Sequence, residues 1–351
     1  MDIFPCHAAK IPKQALIVPV FVLFTGLFLL NNINSSMRAI VLEKFGGVEN
    51  LIYKDIEKPE IGKYEVLIKV KALSINPVDA KVRSRQAPLA EDLVKFDPLI
   101  LGWDISGEVK EIGSGVTNFQ IGDEVFGMVN FVGHGKAYAE YVAAPADHIT
   151  LKSKNISHEE AAASTLAALT AWQAFHSYGK LRPSDRVLIH AAAGGVGHFA
   201  VQIAKYIGAH VTSTSSSVNR DFVMQLGADV HIDYQTTHFE EVLSDIDFVL
   251  ESVGEKNFQK SVQVLKPFGT IVTLPSGHTK EDECKAQEKY LHACYFMSVY
   301  SNGDDMRQIA SLLEKGILKP YISHLFEFDE MAKAHLQIET GRTAGKVVVK
   351  F

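Results

Sequence analysis

Hydrophobic residues are spaced in two different ways along the chain. Between Met37 and about residue 150, apolar and β-branched residues alternate with polar ones or form short runs bounded by Gly, Pro and Asp. The clearest segments are MRAIVLE, EVLIKVKALSI, ISGEVKEIG and GDEVFGMV. Short segments of this kind between turn signals are typical of β-strands. This part of the chain is therefore predicted to form a compact β-rich domain.

The pattern changes at HEEAAASTLAALTAWQAF, which has the Ala-rich spacing and the early acidic pair, Glu159 and Glu160, of a helix. Strand-like and helix-like segments then alternate. RVLIH predicts a buried strand, residues 196–208 a helix, HVTST a second strand and DFVMQLGA another helix, and HIDY and DFVLESVG predict further strands. This βαβ alternation predicts a parallel sheet covered by helices, which places the chain in the α/β class.

The end of the chain returns to the first pattern. After GTIVTLPSG, amphipathic helices are predicted at DDMRQIASLLEKG and DEMAKAHLQIETG, and GKVVVKF predicts a closing strand. Because these last segments resemble the β-rich part, we expect the first domain to be discontinuous. The expected limits are 37–160 for the β-rich domain, 161–310 for the parallel-sheet domain and 311–351 for the return.

Residues 1–36 form a separate N-terminal extension with an apolar run of 16 residues, Ala15–Leu30, after Lys10 and Lys13. At about 1.5 Å per residue, a helix of this length falls short of a hydrocarbon core of about 30 Å. Three interpretations stay open: a segment upstream of a start at Met37, a short membrane anchor, or a signal peptide. The following NNINSS lacks a good cleavage site, which disfavours the signal peptide.

Charge and cysteine content exclude some classes of protein. The 351 residues include 35 basic and 41 acidic side chains, a formal net charge of −6. This balance argues against a nucleic-acid partner, since neutralising phosphates needs a positive surface. The cysteines, Cys6, Cys284 and Cys294, form neither a disulfide framework nor a CxxC zinc motif. Such a pattern suits a reducing compartment.

A glycine-rich segment, HAAAGGVGHFAVQIAK, follows a predicted strand and opens a predicted helix. Counted from Ala192, it has the form A-x-G-x-x-G, with Gly194 and Gly197 in the second and third glycine places. Small residues let the backbone approach a pyrophosphate and let the helix pack on the strand, and the helix N-terminus offers N–H groups to the phosphates. The segment predicts a dinucleotide site; a tight turn without a ligand is the alternative.

The residues that follow the second predicted strand indicate which dinucleotide is bound. VTSTSSSVNR has six consecutive hydroxyl residues, Thr212 to Ser217, and then Arg220, where an NAD site often has an acidic residue. Hydroxyl donors and a guanidinium would bond and neutralise a 2′-phosphate, which predicts NADPH over NADH. The alternative is a polar strand end with a solvated Arg220.

Six segments together resemble one protein family: INPVDAKVRSR, LGWDISGEV, AYAEYV, EEAAASTLAALTAWQA, HAAAGGVGHFAVQIAK and GKVVV. From Met37 to Phe351 the chain resembles the zinc-independent medium-chain dehydrogenase/reductases, in the branch of quinone oxidoreductase (zeta-crystallin-like) and alkenal/one oxidoreductase. The resemblance implies a GroES-like β-rich catalytic domain and a Rossmann domain with a doubly wound parallel sheet, with the cofactor in the cleft between them.

The resemblance also implies roles for individual residues. Those expected at the nicotinamide end are Asn76, Pro77, Val78, Asp79, Thr170, Ser252, Ser276, Phe296, Met297 and Ser298. Those expected at the pyrophosphate are Ala192, Ala193, Gly194, Gly195, Val196 and Gly197. Those expected at the adenosine phosphate are Ser213, Thr214, Ser215, Ser216, Ser217 and Arg220. Arg342 falls where the family often contacts cofactor, and Lys346 is a further candidate.

The sequence departs from the zinc-dependent members of this family. Where they carry GHE, this chain has GWD at residues 102–104, and no cysteine lies between residues 7 and 283. His134, His158 and His190 do not form a spaced ligand set. We therefore expect no metal.

Without a metal, hydride transfer is easiest to an acceptor that is already electrophilic, a quinone or an α,β-unsaturated carbonyl. Asn76 and Lys81 are the candidate donors to the oxyanion that forms, although Asn76 could equally cap a turn and Lys81 could be a surface charge. The alternatives are an enoyl-thioester reductase, a non-catalytic NADPH-binding structural or regulatory protein, and a membrane-tethered adaptor anchored by residues 15–30. A homodimer is expected from the family, and a cytoplasmic location from the supply of NADPH.

Overall fold

The computed structural model describes residues 36–274, 285 and 292–351. The N-terminal apolar run, Cys6, Cys284 and Ser276 lie outside the described residues, so the predictions that involve them stay predictions. Met37–Phe351 form one compact unit. No helix within the described ranges is long and apolar enough to cross a membrane.

The β-rich part of the chain supplies most of one large sheet. Its strands are β1 (Ser36–Leu42), β2 (Leu51–Glu57), β3 (Glu65–Ile75), β4 (Asp104–Ile112), β5 (Glu124–Met128), β6 (Tyr141–Pro145) and β7 (Ile149–Leu151), and two short helices, α1 (Pro77–Arg83) and α2 (Leu89–Leu93), lie between β3 and β4. β1 and β2 pair with each other. In the large sheet, β3 pairs antiparallel with β4 and β6, β4 with β5, and β5 with β7. The four segments predicted as strands coincide with β1, β3, β4 and β5.

The helix predicted over residues 158–175 is two helices in the structure, so this prediction was wrong in part. α3 spans His158–Ala163 and α4 spans Leu166–Gln173. The break lies at Ser164 and Thr165, whose hydroxyls each donate to a backbone carbonyl of α3, at 2.8 Å in both cases. Hydroxyl side chains that bond nearby backbone compete with regular helical bonding, which accounts for the interruption.

Within the described residues, the middle of the chain forms a parallel sheet of six strands. Its strands are β8 (Arg186–Ile189), β9 (His210–Ser215), β10 (Val230–Asp233), β11 (Ile246–Glu251), β12 (Leu265–Thr273) and β13 (Ala293–Phe296), and its helices are α5 (Gly197–Ile207), α6 (Arg220–Gln225), α7 (Phe239–Val242) and α8 (Glu255–Val264). The strand order is β10-β9-β8-β11-β12-β13. The chain therefore reverses its direction across the sheet between β8 and β11. Ligands of such sheets bind beyond the carboxyl ends of the strands at this reversal.

The C-terminal part returns to the first sheet. It contains α9 (Gly303–Glu314), β14 (Ile322–Glu327), α10 (Met331–Glu339) and β15 (Lys346–Lys350). β15 pairs antiparallel with β3 and parallel with β14. These two strands thus extend the β-rich sheet, as a discontinuous first domain requires, while the residue limits proposed for the domains stay predictions.

The two central strands of the parallel sheet, β8 and β11, are buried over most of their length. Val187–Ile189 and Phe248–Glu251 have at most 1% of their surface exposed. Helices cover both faces of a parallel sheet, so its strands are apolar on both faces. Glu251 is the polar exception, and its carboxylate accepts the N–H groups of Val253 and Gly254 at 2.7 and 3.2 Å. Glu251 therefore fixes the turn after β11, where Ser252 lies.

Candidate active site

A cavity of about 380 Å³ lies where the carboxyl ends of β8 and β3 approach the start of β15. Its lining residues are Ile75, Asn76, Pro77, Lys81, Leu166, Ala167, Ala191, Gly194, Gly195, Val196, Gly197, Ser252, Leu274, Ile338, Gly341, Thr343, Gly345 and Lys346. A larger cavity of about 760 Å³ lies at the end of β1 and contains no residue of the glycine turn. We take the smaller one, called the cleft below, as the candidate site, because it joins the glycine turn to residues of both sheets.

The glycine turn has the geometry of an anion site. A Cβ on Gly197 would lie 2.2 Å from the carbonyl oxygen of Ala191, so only glycine fits there. The N–H groups of Gly195, Val196 and Gly197 donate to no backbone carbonyl among the described residues. They open α5, a helix of 11 residues, whose N-terminus carries a partial positive charge. The turn therefore fits a pyrophosphate.

The hydroxyls on β9 are engaged inside the protein. Ser213 Oγ donates to a carbonyl of β10 at 3.1 Å, and Thr214 Oγ1 bonds His190 Nδ1 at 3.0 Å. Ser215 Oγ bonds His231 Nε2 at 2.8 Å. All three serine and threonine side chains are buried. These three predicted phosphate contacts therefore have hydroxyl groups that are buried and already hydrogen-bonded within the protein.

The residues just after β9 are placed differently. Ser216 is partly buried, and Ser217 and Arg220 are exposed, with 61% of the Arg220 side chain open to solvent. Arg220 makes a loose contact of 3.4 Å with Asp221, a neighbour that is itself 88% exposed. A guanidinium in a weak, solvated pair can turn toward a phosphate at small cost. The available part of the predicted phosphate site is therefore Ser216, Ser217 and Arg220.

Asn76 connects three segments beneath the cleft. It follows β3 and has 2% of its surface exposed. Its Nδ2 donates to Asp104 Oδ2 at 2.7 Å, and its Oδ1 accepts from Lys346 Nζ. The backbone N–H of Asn76 donates to Asp79 Oδ2 at 2.7 Å, so α1 is capped by Asp79, while the Asn76 carboxamide is left for the cleft and the buried charges. Asn76 thus caps α1 through its backbone, and its role as a hydrogen-bond donor to a substrate stays a prediction.

Burial shifts the pKa of each charged group around Asn76. It raises the pKa of Asp79 to about 7 against the opposing hydrogen bond from Asn76. It raises the pKa of Asp104, opposed mainly by the charge of Lys346. It lowers the pKa of Lys346, opposed by the charges of Asp104 and Asp79. Two carboxyl groups and an ammonium with almost no exposed surface therefore share one site.

Lys81 reaches the same cleft from α1. It is exposed, lines the cleft, and its ammonium makes no ion pair or hydrogen bond with any described residue. A lysine held by no partner keeps its donors for a ligand. Asn76 and Lys81, the two predicted catalytic residues, are therefore brought to one cavity with the glycine turn.

Comparison with known proteins identifies the family. Residues 62–154 match the model of the alcohol dehydrogenase GroES-like domain, and residues 226–349 match that of a zinc-binding dehydrogenase. The chain is 33% identical to the 2-methylene-furan-3-one reductase of Solanum lycopersicum and 33% identical to the chloroplastic NADPH-dependent alkenal/one oxidoreductase of Arabidopsis thaliana, in each case over 91% of this chain and 80% of the relative. It matches the structure of the quinone oxidoreductase from Coxiella burnetii with a TM-score of 0.85 and 37% identity, over 90% of this chain and 99% of that one.

The chain belongs to the medium-chain dehydrogenase/reductase family. The predicted resemblance and the predicted fold class, a GroES-like β-rich part with a Rossmann-like parallel sheet, are thereby confirmed. As a member of this family the chain is an oxidoreductase that uses a nicotinamide cofactor.

The zinc in one matching family description has no counterpart in the part of this reductase that the structure describes. No group of three or more His, Cys, Asp or Glu side chains among the described residues is arranged to hold a metal ion. Asp104, in the GWD segment, is bonded to Asn76 and to the N–H of Leu166 instead. Asp104, which stands where zinc-dependent members have the glutamate of GHE, thus holds the side chain of Asn76 and the first residue of α4 in place.

Several residues predicted to contact the cofactor of this reductase do not line the cleft. Thr170 is 5% exposed and its hydroxyl bonds back to the carbonyl of Leu166 at 2.8 Å. Asp79 is fully buried. The others outside the cleft lining are Val78, Ala192, Ala193, Phe296, Met297, Ser298 and Arg342. Phe296 ends the edge strand β13 and is exposed. Of the two residues that follow it, Met297 is buried and Ser298 is exposed. Arg342 is exposed and lies between Gly341 and Thr343, which do line the cleft.

The cleft also contains residues that the sequence reasoning missed. Leu166 and Ala167 line it in place of Thr170, one helical turn earlier. The Ser-Thr pair that breaks the helix was the available signal, since it places the start of α4 at Leu166. Thr343 and Gly345, next to the predicted Arg342, line the cleft as well, whereas no pattern marked Leu274 or Ile338.

Proposed function

We propose that this chain is an NADPH-dependent reductase of quinones or α,β-unsaturated carbonyls that works without zinc. The observation that carries the proposal is that one cleft has the glycine turn on one wall and the side chains of Asn76 and Lys81 on the other. The names of the relatives from Solanum lycopersicum and Arabidopsis thaliana support the same class of substrate.

The preference for NADPH rests on the end of β9. No acidic side chain occupies residues 212–220, where a carboxylate would repel a 2′-phosphate. Ser216, Ser217 and Arg220 would bond and neutralise that phosphate. The free N–H groups of Gly195, Val196 and Gly197 would hold the pyrophosphate at the N-terminus of α5.

The chemical step needs little from the protein besides orientation and charge stabilisation. Bound NADPH supplies a hydride. When the β-carbon of an enone or the ring of a quinone accepts that hydride, the π electrons shift and the carbonyl oxygen takes up the negative charge. The product is an enolate or a hydroquinone anion. Asn76 Nδ2 and Lys81 Nζ would donate to that oxygen, and solvent would supply the proton. Leu166, Ala167 and Leu274 give the adjacent wall the apolar character that such acceptors require.

The test is an NADPH-oxidation screen with 1,2- and 1,4-quinones, short enals and an enoyl-CoA, beside an NAD⁺-reduction assay with simple alcohols. We expect turnover with quinones or enals. Preference for the enoyl-CoA would favour an enoyl-thioester reductase. Tight NADPH binding without turnover of any acceptor would favour a non-catalytic binding protein, and activity with simple alcohols and NAD⁺ alone would contradict the proposal.

We also propose that the reductase is a cytoplasmic homodimer that pairs through the edge strand β13. Support comes from Phe268, Tyr295 and Phe296, which are 74%, 39% and 41% exposed on β12 and β13. Light scattering of the purified chain, with Tyr295→Lys as the variant, tests the dimer.

Fractionation of cells expressing the full chain and a Met37-start version tests the location and any role of residues 15–30 in membrane association.

A further inference from the structure

At the buried end of the cleft, called its floor here, the carboxamide of Asn76 lies between the charged side chains of Lys346 and Asp104. Lys346 and Asp104 have 3% and 0% of their surface exposed. No ion pair among the described residues joins them; the side chain of Asn76 lies between, accepting from the ammonium and donating to the carboxylate. Burying separate charges in this way is expensive unless each is compensated. The arrangement therefore needs an explanation beyond stability.

The chemistry of the two charged groups fixes which way the Asn76 amide faces. A lysine ammonium has three donors and no acceptor, so it can only meet Oδ1. A carboxylate only accepts, so it can only meet Nδ2. Asp104 is held in turn by the N–H of Leu166, which donates to its Oδ1 at 3.1 Å. Reversing the amide would place two donors together at Lys346 and two acceptors together at Asp104.

With this orientation one N–H of Asn76 Nδ2 is left over. Asn76 lines the cleft, so this hydrogen is the donor available to a ligand. The ammonium on one side and the carboxylate on the other polarise the amide in the same direction, which strengthens hydrogen bonds within such a chain. The Lys346 ammonium itself donates to Asn76 Oδ1 and, at 3.5 Å, to the carbonyl of Ile75.

Resting on the proposed function, we propose that Lys346 and Asp104 are positioning residues that lock the Asn76 amide with one N–H aimed at the reacting carbonyl oxygen. Lys346 acts through Asn76 and is not itself the proton donor. Its stem also passes the glycine turn, since a Cβ on Gly195 would lie 3.5 Å from Lys346 Cδ. The same lysine thus links the floor of the cleft to the wall that would hold the cofactor.

The test compares Lys346→Met with the double variant Lys346→Met/Asp104→Asn. The single variant leaves Asp104 buried without the opposing charge, and we expect a lowered Tm and a kcat reduced about 10-fold or more. The double variant removes both charges and lets the amide that replaces Asp104 pair with a reversed Asn76. We expect its Tm to recover most of the loss while kcat stays low, because the N–H no longer faces the substrate.

The Kd for NADPH, measured by fluorescence titration, is expected to stay within about 3-fold of wild type in both variants, since positioning acts on the transition state. Lys350→Met, at the far end of β15, is the matched control and should leave kcat, Tm and Kd unchanged. In an Asn76→Ala background, Lys346→Met should reduce kcat no further, because residues that act through one another are not additive.

Three results would overturn the inference. One is a double variant whose kcat recovers together with its Tm, which would make the cluster structural only. Another is a weakened Kd for NADPH with kcat unchanged, which would make Lys346 a cofactor ligand. The third is an equal loss of Tm in the single and double variants. That last measurement needs no turnover, so it tests the coupled charges even if the wild-type chain reduces no acceptor and the proposed function fails.

Discussion

The backbone N–H of Gly345 donates to the carbonyl of Ala193 at 2.8 Å, which ties the strand that closes one sheet to the glycine turn of the other. Gly345 has a φ of +61°, and a Cβ on it would lie 2.1 Å from the carbonyl oxygen of Tyr321. Lys346 follows directly and donates its own N–H to that same carbonyl at 2.8 Å. The position of the charged cluster therefore depends on the backbone conformation at Gly345.

Gly345→Ala should accordingly weaken both stability and NADPH binding. The left-handed φ alone costs an L-residue about 1–2 kcal/mol, and the overlap with Tyr321 adds to it. Gly341→Ala is the matched control, since Gly341 has a φ of +64° but nothing within 4 Å of its Cβ position. We expect Gly345→Ala to lower the Tm more than Gly341→Ala and to raise the Kd for NADPH. Because Gly341 also lines the cleft, the comparison rests on stability, and an equal loss of Tm in the two variants would show that the close approach to Tyr321 is unimportant.

The fold was largely predictable because its local signals agree with its tertiary structure. EVLIKVKALSI is alternating and apolar, and it is β3; RVLIH is short and apolar, and it is β8 at the centre of the parallel sheet. The single helix predicted over residues 158–175 was wrong because the Ser-Thr pair at 164–165 bonds back to α3. Strands such as β14, whose burial pattern is mostly intermediate, give no clear period and were not predicted.

The site was predictable where one backbone motif contains it, and less so where distant segments meet. The glycine turn is continuous in sequence, so Gly194–Gly197 could be identified directly. Asn76, Asp104 and Lys346 come together because β3 pairs with β4 and β15. Asn76 and Lys346 are 270 residues apart in the sequence, and no local pattern predicts that they meet. Hydroxyl side chains in a strand, such as Ser213 and Thr214, looked available because a sequence does not show which of them the sheet uses itself.

Asp79 taken by itself should make the chain less stable as the pH rises toward neutrality, whereas the buried histidines with lowered pKa values, such as His134, His198 and His335, act in the opposite direction. Burial raises the pKa of Asp79 from its ordinary 3.8 to about 7 in the folded state. Between these values the folded chain binds more protons than the unfolded one, so unfolding becomes easier as pH rises through this window. Above it, the folded state carries the whole penalty of a buried carboxylate, on the order of a few kcal/mol.

Asp79→Asn should therefore remove this contribution, so the unfolding free energy of the variant minus that of wild type, measured by denaturant titration, should increase between about pH 4 and 7. The amide oxygen can still accept the N–H of Asn76, so α1 keeps its cap. Asp55→Asn, on the exposed face of β2, is the control and should keep the wild-type pH profile. A difference from wild type that stays constant over this range would mean that the pKa of Asp79 is not raised in the folded chain.

Arg220→Gln should change the choice of cofactor more than the rate. Loss of a charge-assisted bond to the 2′-phosphate should raise KM for NADPH by about 10-fold, less than a buried pair would give because Arg220 is exposed. KM for NADH should not change, since NADH has no phosphate there. Arg307→Gln, an exposed arginine on α9, should leave both values unaltered. A parallel rise in KM for both cofactors would contradict a 2′-phosphate contact.

Lys81→Met should lower kcat/KM for enals while NADPH binding stays intact. Loss of one donor to a developing oxyanion costs up to 10²–10³ in a rigid site, and about 10-fold is expected for an exposed, flexible lysine. Lys81→Arg should retain part of the activity, and Lys71→Met, exposed on β3 outside the cleft, should retain all of it. Unchanged kcat/KM in Lys81→Met across the whole acceptor panel would return Lys81 to the role of a surface charge.

Alanine in place of Gly195 and in place of Gly197 should have different effects. A Cβ on Gly197 would lie 2.2 Å from the carbonyl oxygen of Ala191, a backbone atom that cannot move aside, so Gly197→Ala should fold poorly despite a better helix propensity. A Cβ on Gly195 would meet nothing nearer than 3.5 Å. Gly195→Ala should therefore keep its Tm within about 2 °C of wild type.

Gly195 nevertheless lines the cleft, so its added methyl group occupies space that the pyrophosphate needs. We expect the Kd for NADPH of Gly195→Ala to rise by about 10-fold or more, with NADH affected equally because both cofactors share the pyrophosphate. Thermal unfolding and fluorescence titration of the two variants together separate the helix-packing glycine from the ligand-facing one. Wild-type affinity for both cofactors in Gly195→Ala would place the pyrophosphate elsewhere than on this turn.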